Sequence, residues 1–148
     1  MTLLAYPFFR QAAHVIGQTL RFGGAVRTAT LQEAMPALIG DLGAVRAACK
    51  RVTFSLRNWG ILVDGEKRYD YVAREPRLRL STPELECWLL AAALDAHPAE
   101  SMPFEDLLHL PELFPFEIGL TAHNARSCAL LSVDRQGGGW DMVRASQG

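Results

Sequence analysis

The chain has 148 residues, 49% hydrophobic and 21% charged, with 15 Lys+Arg against 16 Asp+Glu and a formal net charge of −1. This composition fits one folded globular domain, or two very small ones, and argues against extended disorder. The near-neutral total hides a split: residues 1–80 carry 12 Lys+Arg against 6 Asp+Glu, whereas residues 81–148 carry 3 against 10.

Pro7 opens the first predicted helix, where its missing N–H costs nothing. Phe9, Ala12, Ala13, Ile16 and Leu20 recur at helical spacing until Gly23-Gly24 end the run. Ala25–Thr28 is short enough for a brief strand. Thr30 is placed to cap a second helix, Leu31–Ile39, with Glu33 as its capping-box partner. Pro36 should kink or shorten that helix.

Gly40-Asp41 reads as a turn, with Asp41 as the next cap. The third helix, about Leu42–Trp59, has the clearest pattern: Val45, Cys49, Val52, Leu56 and Trp59 form one stripe for burial. Gly60 stops it. Ile61–Val63, the turn Asp64-Gly65 and Lys67–Val72 then read as a β-hairpin, since Asp-Gly is a strong two-residue hairpin signal.

Arg74–Leu80 is a basic, extended connector. Thr82 should cap a helix beginning at Pro83, with Leu85, Trp88, Leu89, Ala92 and Ala93 on its buried side and His97-Pro98 at its end. A short helix near Phe104–His109, an apolar plug at Glu112–Phe116 and a helical turn at Thr121–Ser127 follow. A second hairpin, Ala129–Asp134 with Trp140–Arg144, closes the chain; Leu131 and Val133 alternate with Ser132 and Asp134 as in a half-buried strand. The fold class expected is mainly α with small β-hairpins, in a basic domain over 1–76 and an acidic one over 77–148.

Over residues 7–73 this order resembles the winged-helix class of helix-turn-helix DNA-binding domains. Leu31–Ile39 matches the second helix, Gly40-Asp41 the turn, Leu42–Trp59 the recognition helix and Ile61–Val72 the wing; Pro36 departs from the usual uninterrupted second helix. The resemblance implies a helix in the major groove of duplex DNA, with the wing on the flanking backbone. The residues point the same way by themselves. Arg46, Lys50 and Arg57 share a helical face about 100° or more round from the apolar stripe. Arg51, Thr53 and Asn58 add polar groups on the solvent side, and Lys67 and Arg68 follow the wing turn. Such side chains suit phosphate contact, and Arg, Asn and Thr also read base edges.

The second half repeats a similar order with the opposite sign, which makes the expectation one of tandem winged-helix-like units. Its acids, Glu84, Glu86, Asp95, Glu100, Glu105, Asp106, Glu112 and Glu117, would be repelled by phosphates and point instead to a protein partner or a second copy of the chain. Phe104, Phe114 and Phe116 fit either that contact or the core. A basic helix face also fits plain solvation, and winged helices also serve as protein-interaction modules, so the alternative is an adaptor that does not bind DNA. The combination Tyr6-Pro7-Phe8-Phe9, Trp59-Gly60-Ile61-Leu62, Leu113-Phe114-Pro115-Phe116 and Asp141-Met142-Val143-Arg144 is similar to small bacterial proteins associated with phage-defence loci. That similarity implies a regulator or accessory DNA-binding subunit.

Catalytic chemistry finds little footing. Cys49, Cys87 and Cys128 are an odd, spread set, which argues against a disulfide framework and fits a reducing cytosol. His14, His97, His109 and His123 are scattered, without the short-spaced pairs of structural zinc. His123, Ser127, Cys128 and Asp134 are triad residue types without a nucleophile elbow. Gly137-Gly138-Gly139 lacks the Lys-Ser/Thr of a phosphate loop and suits a hairpin turn. No secretion signal is visible, and the apolar stretch Cys87–Leu94 is too short to span a bilayer. The expectation is a cytoplasmic, non-catalytic protein without metal or cofactor and without a membrane partner.

Overall fold

The computed structural model describes residues 6–40 and 43–146. The proposed cap Asp41 and helix start Leu42 therefore lie outside the described residues. The chain divides into two compact units, Met1–Arg77 and Leu78–Gly148. Helices dominate, with sheets of two or three short strands, so the molecule mixes α and β structure.

The first unit contains α1 (Pro7–Arg21), α2 (Thr28–Ile39), α3 (Val45–Asn58), β1 (Leu62–Asp64) and β2 (Tyr71–Ala73). Its core joins Ala12, Ala13 and Ile16 of α1, Leu31 and Met35 of α2, and Val45, Cys49, Val52 and Leu56 of α3. Each large side chain so buried contributes about 1.5–3 kcal/mol. Between α1 and α2, Val26 bridges antiparallel to Tyr71, each N–H donating to the other's carbonyl at 2.8 and 2.9 Å.

That bridge decides where α2 starts. The helix begins at Thr28, straight after the bridge, behind an N-cap Arg27 that makes no side-chain cap bond. Thr30 is inside the helix and does not cap it. Pro36 does not shorten the helix either: α2 runs on to Ile39, and the Pro36 carbonyl accepts from Gly40 N–H at 2.9 Å. Trp59 leaves the buried stripe and is 54% exposed. It is the C-cap of α3, its N–H still donating to the Ser55 carbonyl at 2.9 Å, and its ring lies 6.0 Å from that of Phe9.

The first hairpin also differs from the expected two-residue turn. Asp64 pairs with Tyr71, leaving Gly65–Asp70 as a six-residue loop. Two contacts outweigh the Asp-Gly preference: Tyr71 is held by Val26, and the buried Asp70 accepts from Arg27 Nε. Gly65 N–H closes the loop on the Asp70 carbonyl at 2.7 Å, and a Cβ on Gly65 would sit 3.2 Å from that oxygen. Only glycine makes this approach without displacement.

The second unit contains β3 (Leu78–Arg79), α4 (Pro83–Asp95), β4 (Ser101–Pro103), α5 (Phe104–Leu108), a 3-10 turn (Pro111–Leu113), β5 (Phe116–Glu117), α6 (Ala122–Ala125), β6 (Leu131–Gln136) and β7 (Trp140–Ala145). The cap of α4 is as expected: Thr82 Oγ1 accepts from Leu85 N–H, and Pro83 is the first helical residue. Its buried face is different. Glu86, Cys87, Leu90, Ala93 and Leu94 point inward, while Leu85 and Trp88 are exposed. A helix apolar nearly all round does not announce its inner face by periodicity.

β6 and β7 form the expected second hairpin, joined by Gly137–Gly139, with Gly138 and Gly139 at positive φ. Unexpectedly, β4 joins it, giving the order β4-β7-β6. The end of the basic connector, Leu78–Arg79, forms β3, parallel to β5, with Arg79 donating to both Glu117 carboxylate oxygens. Phe104 and Phe114 are buried and serve the core.

The cysteine expectation is overturned. Cys87 on α4 is disulfide-bonded to Cys128, with Cα atoms 6.4 Å apart, within the span such a bond covers. The two are 41 residues apart, so only tertiary packing of α4 against the segment after α6 brings them together. Cys49 is free and buried. Among the described residues, no helix is long and apolar enough to cross a membrane.

Candidate nucleic-acid interface

α3 is fixed from two sides. Its apolar stripe enters the core, and Gln32 Nε2 of α2 donates to the Arg46 carbonyl at 2.9 Å, tying α2 to the first turn of α3. The outward arc then carries Arg46, Lys50, Arg51, Arg57 and Asn58, all exposed. Lys67 and Arg68 are exposed on the Gly65–Asp70 loop.

Thr53 is a correction to the proposed set. It is 3% exposed, and its hydroxyl donates to the Cys49 carbonyl at 3.1 Å. It lies about 60° from Leu56 round the helix, on the edge that packs inward, so its polarity is satisfied within α3. Arg57 is exposed but engaged: it donates to Asp64 at 2.9 Å, and its guanidinium lies 4.7 Å from the centre of the Tyr71 ring. It therefore braces the end of α3 against the hairpin. An exposed pair of this kind contributes at most about 1 kcal/mol.

Much of the basic excess is spent in the same way. Arg27 pairs with Asp70, Arg77 with Glu75 and Arg79 with Glu117. Arg46, Lys50, Arg51, Lys67 and Arg68 have no ion pair among the described residues. Lys67 still acts on Asp70 through its charge. The Arg68 guanidinium lies 4.8 Å from the Tyr69 ring centre, and Tyr69 takes a positive φ of 66°, a conformation uncommon for a bulky residue. Between Arg57 and the loop is an open groove of about 310 Å³, lined by Arg57, Lys67, Arg68, Tyr69 and Tyr71 together with Asp64 and Glu66. The two acids make it a poor anion pocket; the unpaired cations lie along α3 and the loop.

One residue of this surface was not among those expected from the sequence. Phe54 is 63% exposed, with Lys50 and Arg51 one turn before it and Arg57 and Asn58 one turn after. The signal was available, because Phe54 is two residues from Leu56 and hence about 160° round the helix from the apolar stripe.

The second unit offers a larger groove of about 550 Å³, lined among others by Glu84, Cys87, Asn124, Ser127 and Cys128. His123 and Asp134 do not line it. Cys128 sulfur is bonded to Cys87, and the Asp134 carboxylate lies 3.3 Å from Arg144. The triad residue types therefore do not converge there. Among the described residues, no three His, Cys, Asp or Glu side chains are grouped to hold a metal ion. Of the acids expected to meet a partner, Glu86 is buried with both oxygens accepting from Gly119 N–H, Glu112 is buried, and Glu117 is held by Arg79. No family model, curated protein or solved structure matches the chain.

Proposed function

We propose that this protein binds duplex DNA through α3 and the Gly65–Asp70 loop, and that both units are winged helices of which only the first touches DNA. The observation that carries the reading is the exposed trio Arg46, Lys50 and Arg51, without ion pairs among the described residues, on a helix followed directly by a hairpin whose loop adds Lys67 and Arg68. The topology supports it. In each unit the extended segment after the first long helix pairs antiparallel with the last strand of the hairpin: Val26 with Tyr71, and β4 with β7. Five cations placed on phosphates would release counterions, giving a log–log salt slope of about −4 to −5.

A titration of a mixed-sequence duplex at two salt concentrations tests the reading. Salt-sensitive binding that disappears when Arg46, Lys50 and Arg51 are all replaced by Glu supports it. Absence of binding at low salt sinks it. In that case the adaptor reading takes over, favoured by Leu85 and Trp88 of α4, which are exposed one turn apart. The second unit would then act through protein contact, lost in Trp88→Glu.

A further inference from the structure

Phe54 is the feature that phosphate contact leaves unexplained. An exposed aromatic ring in the middle of a cationic helix face gains nothing from phosphates. Its four neighbours on the face, Lys50, Arg51, Arg57 and Asn58, all bear hydrogen-bond donors and none is acidic. The matching surface must be rich in acceptors and negative charge, with an apolar spot at its centre. The major groove of DNA has that character: phosphates line its edges, purine N7 and O6 and thymine O4 accept, and the thymine 5-methyl group is its apolar projection. The minor groove presents no methyl group, and neither does uracil.

We infer that Phe54 packs on a thymine methyl group in the major groove and gives the protein a preference for thymine at that position. The inference rests on the proposed DNA binding and adds a base-reading residue to a surface otherwise suited to the backbone. Arg51 and Asn58 lie about 60° and 40° from Phe54 round the helix, close enough to reach base edges beside the same thymine.

The test compares an A·T-rich mixed-sequence duplex with the same duplex carrying deoxyuridine for every thymine. The substitution removes the methyl group and leaves the Watson–Crick pairing and groove acceptors unchanged. The full chain should bind the deoxyuridine duplex about fourfold more weakly for each methyl group contacted, the worth of one buried carbon. Phe54→Ala should bind both duplexes equally, at the deoxyuridine level, with the salt slope unchanged. Phe54→Leu, which keeps an apolar side chain, should retain part of the preference. Equal binding of the two duplexes by the unaltered chain, with salt-sensitive binding intact, overturns the inference and leaves the proposed function standing. So does a Phe54→Ala chain that keeps the preference for the thymine duplex. Failure to bind either duplex at low salt removes both readings.

Discussion

The two units share a pairing scheme and differ in what they do with charge. In the first, Arg46, Lys50 and Arg51 project from α3 without acidic partners among the described residues. In the second, the basic residues are four arginines and three of them are engaged: Arg79 with Glu117, Arg126 with Asp141 and Arg144 with Asp134. Its acids are partly internal as well, since Glu86 caps Gly119 and Glu117 holds Arg79. Helix length separates the units further. α3 has 14 residues and presents several turns, whereas α6, the helix before the β6–β7 hairpin, has 4. A helix of one turn cannot lay a row of side chains along a groove. Net charge alone would credit the first unit with every basic residue, but the structure removes those already paired and leaves a smaller surface on α3 and one loop.

The sharpest way to break this contrast is charge reversal in each unit. On the proposed DNA-binding reading, replacing Arg46, Lys50 and Arg51 by Glu should weaken duplex binding by roughly a hundredfold or more, because three charge-assisted contacts would be lost. Replacing Arg126, Arg135 and Arg144 by Glu should change it little. Fluorescence anisotropy on both variants decides, and similar losses from the two would erase the distinction between the units.

The next effect belongs to the second unit. The Cys87–Cys128 bond closes a loop of 41 residues, so its reduction, or Cys87→Ser, should cost about 2–4 kcal/mol in denaturant unfolding. Cys49 should behave differently, since burial pushes its thiol pKa up and keeps reagents away. Alkylation of the native, unreduced chain followed by mass spectrometry should leave all three cysteines unmodified. Labelling of Cys87 and Cys128 without reductant would show that the two thiols are not bonded. A smaller loss, about 1–3 kcal/mol, is expected for Glu86→Ala, which leaves the Gly119 N–H without its carboxylate. Equilibrium unfolding of the oxidised variant measures it.

What the sequence disclosed followed the range of the interactions. The cap at Thr82, the helix start at Pro7 and the stripe Val45–Cys49–Val52–Leu56 are local, and each was readable. The hairpin register was not, because Asp64-Gly65 is a local preference overruled by Val26 and Arg27, more than 35 residues away in the chain. β3 and β4 were missed for the same reason: two or three residues carry no period, and both strands exist only through distant partners. The candidate site divides similarly. Arg46, Lys50 and Arg51 are readable from helical spacing, whereas Arg57 has partners in β1 and β2 that spacing does not reveal. Thr53 sits at the margin of the stripe, where a shift of one position on the helical wheel separates core from surface.

The smallest effect concerns Arg27 and Asp70, which set the loop that the first unit would present to DNA. Hydrogen bonding from Arg27 foremost holds the Asp70 carboxyl below its usual range, against the opposing pull of burial, and the charges of Arg27 and Lys67 add to the lowering. A carboxyl with a depressed pKa in the folded state binds fewer protons than it does unfolded. Its contribution to stability is therefore complete above the ordinary carboxylate pKa, about 4, and is lost as pH falls through the lowered folded value. The effect is modest because the Arg27 side chain is 54% exposed, so water and salt screen the pair. Denaturant midpoints measured from neutral pH down into this acid range should fall less steeply in Asp70→Asn than in the unaltered chain. Added salt should narrow the gap. A steeper fall in Asp70→Asn would reverse the sign and show that Arg27 does not hold the carboxylate in its charged form. The register of the β1–β2 loop would then rest on the Val26–Tyr71 bridge alone, and duplex binding should survive the loss of Arg27.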